Sequence, residues 1–342
     1  MSLNLLSSTN LAEYTSWLIG GPADHFCLPK TVEELQEALL LAKKNQWPVT
    51  ILGGGSNVLV SDKGIRGLTI GLRRFSSISH HIEEMPIGAV AKGTVPGREM
   101  AKALVDKDQL ADQRIDRPND LPKKEKGAST ERLIIECLSG TSKSELLKLF
   151  LKYQLEPALF LAGLPGDVGG GVVMNAGVAE NFNPREFMEM VDWIEVMTKD
   201  GEVHKLKNTD LTVKYRHTDG WQPHIIVRVG LSWPYEKKPE ILQKVREANK
   251  TRLTKQPLDM PSCGSVFKNP EGYKAAQLID QCGLKGFRMG DAQVSTKHAN
   301  FIVNLGTARA VDVWAVIQHV QQEVLRQKGI GLTTEVVRLG EW

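Results

Sequence analysis

The sequence predicts a mixed protein of the α+β class, and three observations support this. Helix and strand patterns alternate over the first 60 residues, short β-rich runs occur within residues 134–233, and the last hundred residues mix two helices with strands. The length of 342 residues corresponds to two or three domains, at a typical size of roughly 150 residues each. Hydrophobic residues at 41% and charged residues at 24% are typical of a globular protein.

Composition excludes several classes of function. Lys and Arg number 43 against 40 Asp and Glu, and this net charge of +3 argues against a nucleic-acid-binding protein. The sequence shows no apolar run of about 18 residues and no signal-peptide pattern, so neither a membrane span nor secretion is expected. The four cysteines have no CxxC spacing, which argues against a metal site or a disulfide scaffold. We therefore expect a soluble cytoplasmic protein.

The N-terminal elements follow from local signals. Thr31 and Glu34 form a capping-box pattern that predicts the start of a helix, and apolar residues continue it at helical spacing. The buried strand Val49–Leu52 then leads directly into the glycine-rich segment Gly53–Asn57, after which Val58–Val60 resumes as a strand. This segment therefore predicts a unit of helix, strand, glycine turn and strand.

A charged segment interrupts these patterns from about Glu83 to Arg132. Between Asp106 and Arg132, 7 acidic and 7 basic residues fall within 27 positions, with few large apolar side chains. A segment of this composition buries little surface, so we predict an exposed, partly disordered insertion with one helix near Arg98–Asp106. A docking segment for a partner is the alternative interpretation.

Regular structure is predicted again from residue 134. Ile134–Leu138 reads as a strand, and a second capping box at Ser142 and Glu145 opens a helix that stops before Pro157. The remaining predicted elements are the strands Val191–Met197, Glu202–Leu206 and Ile225–Val229 and the helices Ala275–Cys282 and Thr307–Lys328, each helix ending at a glycine.

Two glycine-rich segments, Gly53–Asn57 and Gly163–Gly177, carry the first chemical signal. Consecutive glycines let backbone N–H groups approach an anion closely, although Gly53–Asn57 alone is also typical of a tight hairpin. The segment matches neither GxGxxG nor a P-loop. The two segments lie about 110 residues apart and could converge on one dinucleotide. Two unrelated loops are the alternative.

Three further residues are candidates for chemistry. Ser265, in the segment Pro261–Pro270, is a candidate proton donor, although a lone serine in a turn is more often structural. No GxSxG pattern is present, which argues against a serine hydrolase. Arg216 and Glu335 are isolated charges at strand-like positions, where a surface salt bridge is the simplest interpretation.

In order and spacing, these motifs together resemble the UDP-N-acetylenolpyruvoylglucosamine reductase family, flavoenzymes that complete UDP-N-acetylmuramate in peptidoglycan synthesis. The resemblance covers nearly the whole chain apart from the charged insertion. Lys255–Leu258 is similar to the run that precedes the serine motif in the short forms of the family. The markers are Ile19–Ala23, Leu52–Val60, Leu161–Gly177, Tyr215–Arg216, Gly264–Pro270, Gly283–Gly286, Lys297–Asn304 and Thr334–Val336.

The resemblance implies a fold and a domain arrangement. The family has an FAD-binding domain of the vanillyl-alcohol-oxidase type, also called the PCMH type, made of two α+β subdomains. Carried onto this chain, the subdomains span residues 1–75 and 76–235, the second with the charged insertion. An α/β substrate-binding domain follows at residues 236–342.

The resemblance also implies site residues, cofactors and a mechanism. NADPH would reduce FAD and leave, and hydride from flavin N5 would add to the enolpyruvyl ether of UDP-N-acetylglucosamine. Arg216 and Glu335 would stabilise the enolate, and Ser265 would deliver the proton. Gly53, Gly54, Gly55, Ser56 and Asn57 would hold the FAD diphosphate; Gly166, Gly169, Gly170, Asn175, Ala176 and Gly177 would line the flavin; Lys255 and Asn269 would contact the substrate diphosphate.

The implied partners are therefore two small molecules, NADPH and a UDP-sugar ether. The resemblance also implies a cytoplasmic role in the synthesis of the cell wall, on which cell shape and cell division depend. The sequence leaves the oligomeric state open, with a monomer as one option. Two other classes of function remain alternatives. One is an alcohol or phenol oxidase on the same flavin fold, although no histidine for a covalent flavin link lies in either glycine-rich segment. The other is a non-enzymatic protein that binds flavin or a nucleotide sugar.

Overall fold

A computed structural model describes residues 3–84, 131–178 and 183–342. Its α-helices are α1 Val32–Lys44, α2 Lys143–Lys152, α3 Pro157–Leu161, α4 Val168–Val173, α5 Ile241–Lys255, α6 Ala275–Gln281 and α7 Ala310–Lys328, and its short 3-10 helices are Ala12–Tyr14, Phe187–Met190 and Asn208–Asp210. Its strands are β1 Leu5–Asn10, β2 Pro22–Cys27, β3 Val49–Leu52, β4 Val58–Val60, β5 Ile65–Gly71, β6 Ile78–Glu84, β7 Glu131–Leu138, β8 Val191–Met197, β9 Val203–Lys207, β10 Thr212–Lys214, β11 His217–Asp219, β12 Ile225–Pro234, β13 Arg288–Met289, β14 Ala292–Val294, β15 Ile302–Asn304 and β16 Val337–Leu339. Among the described helices, none has the length and apolar character needed to span a membrane.

The first sheet has the order β1-β2-β5-β3, in which β5 runs parallel to both β2 and β3. Helix α1 buries its apolar stripe on this sheet, so the predicted helix and the strand Val49–Leu52 are confirmed. Thr31 accepts the N–H of Glu34 as predicted. A capping box also predicts that the Glu34 carboxylate accepts the backbone N–H of Thr31; this is wrong, because it accepts from the backbone N–H of Lys30 instead.

The second sheet is antiparallel throughout, with the order β6-β7-β12-β8-β9. Its strands confirm the β-rich runs predicted between residues 134 and 233. Helices α2 and α3 pack on it through Phe150 and Phe160, which share one buried cluster with Ile135 and Val229. The capping box at Ser142 and Glu145 is present in both directions.

The predicted insertion is too long at both ends. Strands β6 and β7 pair with Glu83 opposite Arg132 and Glu84 opposite Glu131, so these four residues belong to the sheet. The charged side chains of this segment do not indicate that its ends form backbone hydrogen bonds across two strands, so the pairing could not be predicted from charge alone. The helix expected near Arg98–Asp106 lies outside the described residues.

The C-terminal part of the chain forms the small sheet β13-β14-β15 with helices α6 and α7. Helix α6 ends just before Gly283 and α7 ends at Gly329, as predicted, but α7 begins at Ala310 rather than Thr307. Helix α5 was not predicted from the sequence. It buries only Ile241 and Val245 and therefore shows no continuous apolar stripe.

Long-range contacts join the N-terminal segment to the C-terminal sheet. Trp17 donates its indole N–H to the carbonyl of Ile302 at 2.7 Å, and the Asn304 amide donates to the carbonyl of Trp17 at 2.9 Å. Strand β16 also pairs in parallel with β4. The domain limits at residues 75 and 235 remain predictions.

The capping box of α2 gives a direct test of local stability. Ser142→Ala removes the acceptor for the N–H of Glu145 and should lower the free energy of unfolding by about 1 kcal/mol. Ser144→Ala, at an exposed position of the same helix, is the control and should change it by less than about 0.5 kcal/mol. Urea unfolding measures both variants, and equal losses would contradict the capping role.

Candidate active site

One large cleft of about 3060 Å³ brings together most of the predicted site residues. Its wall includes parts of both glycine-rich segments, together with Arg216, Ser265 and Glu335. These residues come from all three stretches of the chain that were predicted as separate domains. The prediction that the two glycine-rich segments converge on one site is therefore confirmed.

The first glycine loop, Gly53–Asn57, is not a hairpin. Strands β3 and β4 on either side of it belong to different sheets, since β3 pairs with β5 and β4 pairs with β16. Gly55 adopts a φ of +68°, and a Cβ there would overlap the carbonyl of Tyr14. Only glycine fits at this point, and the loop opens its backbone toward the cleft.

The second loop packs directly on the first. A Cβ on Gly166, whose φ is +86°, would lie 2.6 Å from the Ser56 hydroxyl, and one on Gly54 would lie 2.8 Å from the Cα of Gly166. The interpretation of two unrelated loops is therefore wrong. Two glycine-rich loops in contact along a cleft fit the diphosphate and ring system of a dinucleotide cofactor.

Asn175 has a structural role that the sequence did not indicate. Its side chain is fully buried, and its amide donates to the Glu186 carboxylate at 2.7 Å and to the carbonyl of Lys214 at 3.0 Å. The side-chain oxygen Oδ1 of Asn175 accepts the backbone N–H of Met188 at 3.2 Å. Its side chain thus holds the start of the β10–β11 turn, while neighbouring Ala176 and Gly177 line the cleft.

Arg216 lies in the turn between β10 and β11, with a φ of +56°, so the predicted strand-like position is wrong. Its guanidinium donates to the carbonyl of Gly177 at 2.9 Å. The Arg216 Nε also lies 3.4 Å from Oε1 of Glu335, and the two side chains are only 13% and 18% exposed. The interpretation as a surface salt bridge is therefore wrong, because the two candidates pair with each other inside the cleft.

Glu335 is held by its backbone, not by a regular strand. Its N–H donates to the carbonyl of Val266 at 2.8 Å, and its carbonyl accepts the side-chain amide of Asn57 at 2.9 Å. Strand β16 begins two residues later, at Val337. Burial raises the pKa of the Glu335 carboxyl, while the positive charges of Arg216 and Lys268 oppose this shift.

Ser265 is an exposed residue of the cleft wall, directly before Val266. Its loop is fixed from behind by Asn300, whose side chain accepts the N–H of Phe267 at 2.9 Å and donates to the carbonyl of Phe267 at 2.8 Å. The bond between Val266 and Glu335 therefore places Ser265 beside the backbone segment that carries the buried carboxyl.

The two predicted substrate contacts differ in position. Asn269 lines the cleft, and its Oδ1 accepts the N–H of Ala275 at 3.0 Å. Lys255 is exposed at the end of α5 and is not part of the cleft wall. Arg252 of the same helix is part of the wall and donates to the carbonyl of Ala162 at 2.7 Å. Sequence reasoning missed Arg252 because it missed α5.

Matches to protein families identify the class of this site. Residues 23–114 match the family described as FAD binding domain. Together with the glycine loops, this match defines an FAD-binding protein of the α+β class. Residues 256–339 match the family described as UDP-N-acetylenolpyruvoylglucosamine reductase, C-terminal domain. The predicted fold class, a flavin-binding domain followed by a C-terminal domain, is confirmed.

Relatives that match the whole length of the chain support the same assignment. UDP-N-acetylenolpyruvoylglucosamine reductases from Pediococcus pentosaceus and Moorella thermoacetica are 36% and 35% identical, over 99% and 100% of this chain and 95% of each relative. The crystal structure of the enzyme from Thermus caldophilus superposes with a TM-score of 0.67 at 30% identity and covers 99% of both chains. The chain belongs to the UDP-N-acetylenolpyruvoylglucosamine reductase family of FAD-dependent oxidoreductases. Family membership decides against the alcohol or phenol oxidase and against the non-enzymatic binding protein.

Asn175 gives a test of how the turn that carries Arg216 is supported. Asn175→Ala leaves the carbonyl of Lys214 and the N–H of Met188 without these partners, which should lower the free energy of unfolding by about 3 kcal/mol. Asn45→Ala, at an exposed helix end, is the control and should cost less than about 1 kcal/mol. A loss for Asn175→Ala no larger than that of the control, in chemical denaturation, would contradict this support.

Proposed function

We propose that the protein uses NADPH to reduce the enolpyruvyl ether of UDP-N-acetylglucosamine to UDP-N-acetylmuramate. The observation that carries this proposal is the meeting of Arg216, Glu335 and Ser265 in the cleft that also contains both glycine loops. A cation, a buried carboxyl and a hydroxyl are the groups needed to stabilise and protonate an enolate.

The glycine loops would hold the cofactor. Backbone N–H groups of Gly53–Asn57 would bind the FAD diphosphate, and the flavin would be lined by Gly166, Gly169, Gly170, Ala176 and Gly177. Bound FAD supplies a carrier that accepts hydride from NADPH and passes it to the vinyl carbon of the substrate. The side chain of Asn175 would support this wall from behind.

Arg216 would bind the carboxylate of the substrate. Negative charge develops on the carbon next to this carboxylate when hydride adds to the vinyl group, and a fixed guanidinium in a buried position stabilises that charge. The turn and the bond to Gly177 hold Arg216 in place before substrate arrives. Burial raises the pKa of Glu335, and in its protonated form this residue would donate a hydrogen bond to the same carboxylate.

Ser265 would deliver the proton that completes the reduction. Its hydroxyl is exposed to the cleft, while the Asn300 bonds keep its loop from moving. A serine hydroxyl is a weak acid, and it suffices here because the carbanion next to the carboxylate is strongly basic. The proton would therefore pass from Ser265 Oγ to the carbon that carries the carboxylate.

NADPH and the substrate would occupy the cleft in turn, each reacting and leaving before the other binds. Asn269 would contact the diphosphate of the substrate, and Lys255 remains proposed for the same role although its side chain lies outside the cleft wall. The product would serve cytoplasmic peptidoglycan synthesis and, through the cell wall, cell shape and division.

Ser265→Ala tests the role of the proton donor. Flavin reduction by NADPH should be unchanged, whereas flavin reoxidation by the substrate should slow by about 10²-fold or more, as expected when a general acid is lost. Anaerobic stopped-flow absorbance separates the two half-reactions. Ser262→Ala, in the same cleft wall, is the matched control and should leave both rates within a few-fold. Equal losses in both half-reactions of Ser265→Ala would reject the assignment.

A deletion tests whether residues between β6 and β7 contribute to function. Because Glu84 lies opposite Glu131, an Asn-Gly turn can join these two residues directly and replace residues 85–130. We expect the shortened protein to bind FAD and to turn over within a few-fold of the full chain. Loss of flavin absorbance on purification would show instead that the deleted segment supports the cofactor domain.

A further inference from the structure

The two glycine loops are joined by a buried carboxylate that the proposed mechanism does not use. Asp167 is only 5% exposed. Its Oδ1 accepts the N–H of Gly170 at 2.6 Å, and its Oδ2 accepts the N–H of Gly54 in the opposite loop. One acidic side chain therefore takes a backbone donor from each of the two loops that face the cofactor.

A buried cation accompanies this carboxylate. Lys143 is 4% exposed and donates to the carbonyl of Pro165 at 2.8 Å, two residues before Asp167 in the second loop. Burial lowers the pKa of Lys143 to about 8 and raises the pKa of Asp167, while the attraction between the two groups opposes both shifts. Both side chains belong to the wall of the cleft.

Asp167 and a cofactor diphosphate would compete for the same loops. Backbone N–H groups of glycine loops are the donors that a diphosphate takes, and a buried carboxylate beside them repels its negative charge at low local dielectric constant. Lys143 has the opposite effect, because its positive charge offsets the negative charge of the Asp167 carboxylate. The charge that a ligand meets at the loops thus depends on this pair.

We infer that Asp167 is a built-in competitor of the FAD diphosphate, that Lys143 offsets it, and that the two residues together set the affinity for the cofactor. This inference rests on the proposed binding of FAD by the two glycine loops. Asp167 holds the loops together through Gly54 and Gly170 when no diphosphate is present. The diphosphate takes over the N–H of Gly54 when it binds.

The test is the dissociation constant of FAD, measured by fluorescence titration of flavin-stripped protein. Asp167→Ser keeps a hydroxyl acceptor for Gly170 but removes the charge and frees the N–H of Gly54. It should tighten FAD binding about tenfold, which corresponds to about 1.4 kcal/mol. Lys143→Met leaves the carboxylate without its cation and should weaken binding by a similar factor.

Asp192→Ser is the matched control, because it removes the same charge from an exposed part of the same cleft wall and should change the affinity by less than about twofold. Unchanged or weaker binding by Asp167→Ser would overturn the inference. If that variant does not fold, Asp167→Asn decides by the same criterion. A wild-type chain that binds no FAD would instead contradict the proposed function, so the two failures are distinguishable.

Discussion

The parallel pairing of β16 with β4 is the contact on which the site depends. Strand β4 directly follows the first glycine loop, and β16 directly follows the segment that carries Glu335. Asn57 completes the connection, since its backbone carbonyl accepts the N–H of Val337 and its side chain donates to the carbonyl of Glu335. The short ladder between β4 and β16 thus sets the distance between the first glycine loop and the Glu335 carboxyl.

Arg216 and Glu335 form a largely buried pair, and holding this pair inside the cleft has a cost in stability. Removing two charges from water is unfavourable, and a buried ion pair is weak support for stability. The positive φ of Arg216 adds strain at the same place. Both features are expected where an enzyme holds a cation ready for a negative charge that appears only during reaction. In the proposed mechanism, the cost to stability and the benefit to chemistry therefore fall on the same turn.

Local signals predicted much of the fold. The capping box at Ser142, the strand Val49–Leu52 and the glycine loops are determined by residues close in sequence, and the structure contains all of them. Helix α5 was not predicted because only Ile241 and Val245 are buried, so its sequence shows no continuous apolar stripe. The pairing of Arg216 with Glu335 could not be predicted from patterns of residues, because it arises from a turn and a ladder more than 100 residues apart. The family resemblance named both residues but not their contact.

An anaerobic experiment on the wild-type protein tests the proposed reaction most directly. The flavin absorbance of purified protein is recorded, one equivalent of NADPH per flavin is added, and UDP-N-acetylglucosamine enolpyruvate follows once the absorbance is constant. We expect bleaching by NADPH, full return of the absorbance with the substrate, and one UDP-N-acetylmuramate formed per flavin. Bleaching without return, or return without this product, would contradict the proposed reaction.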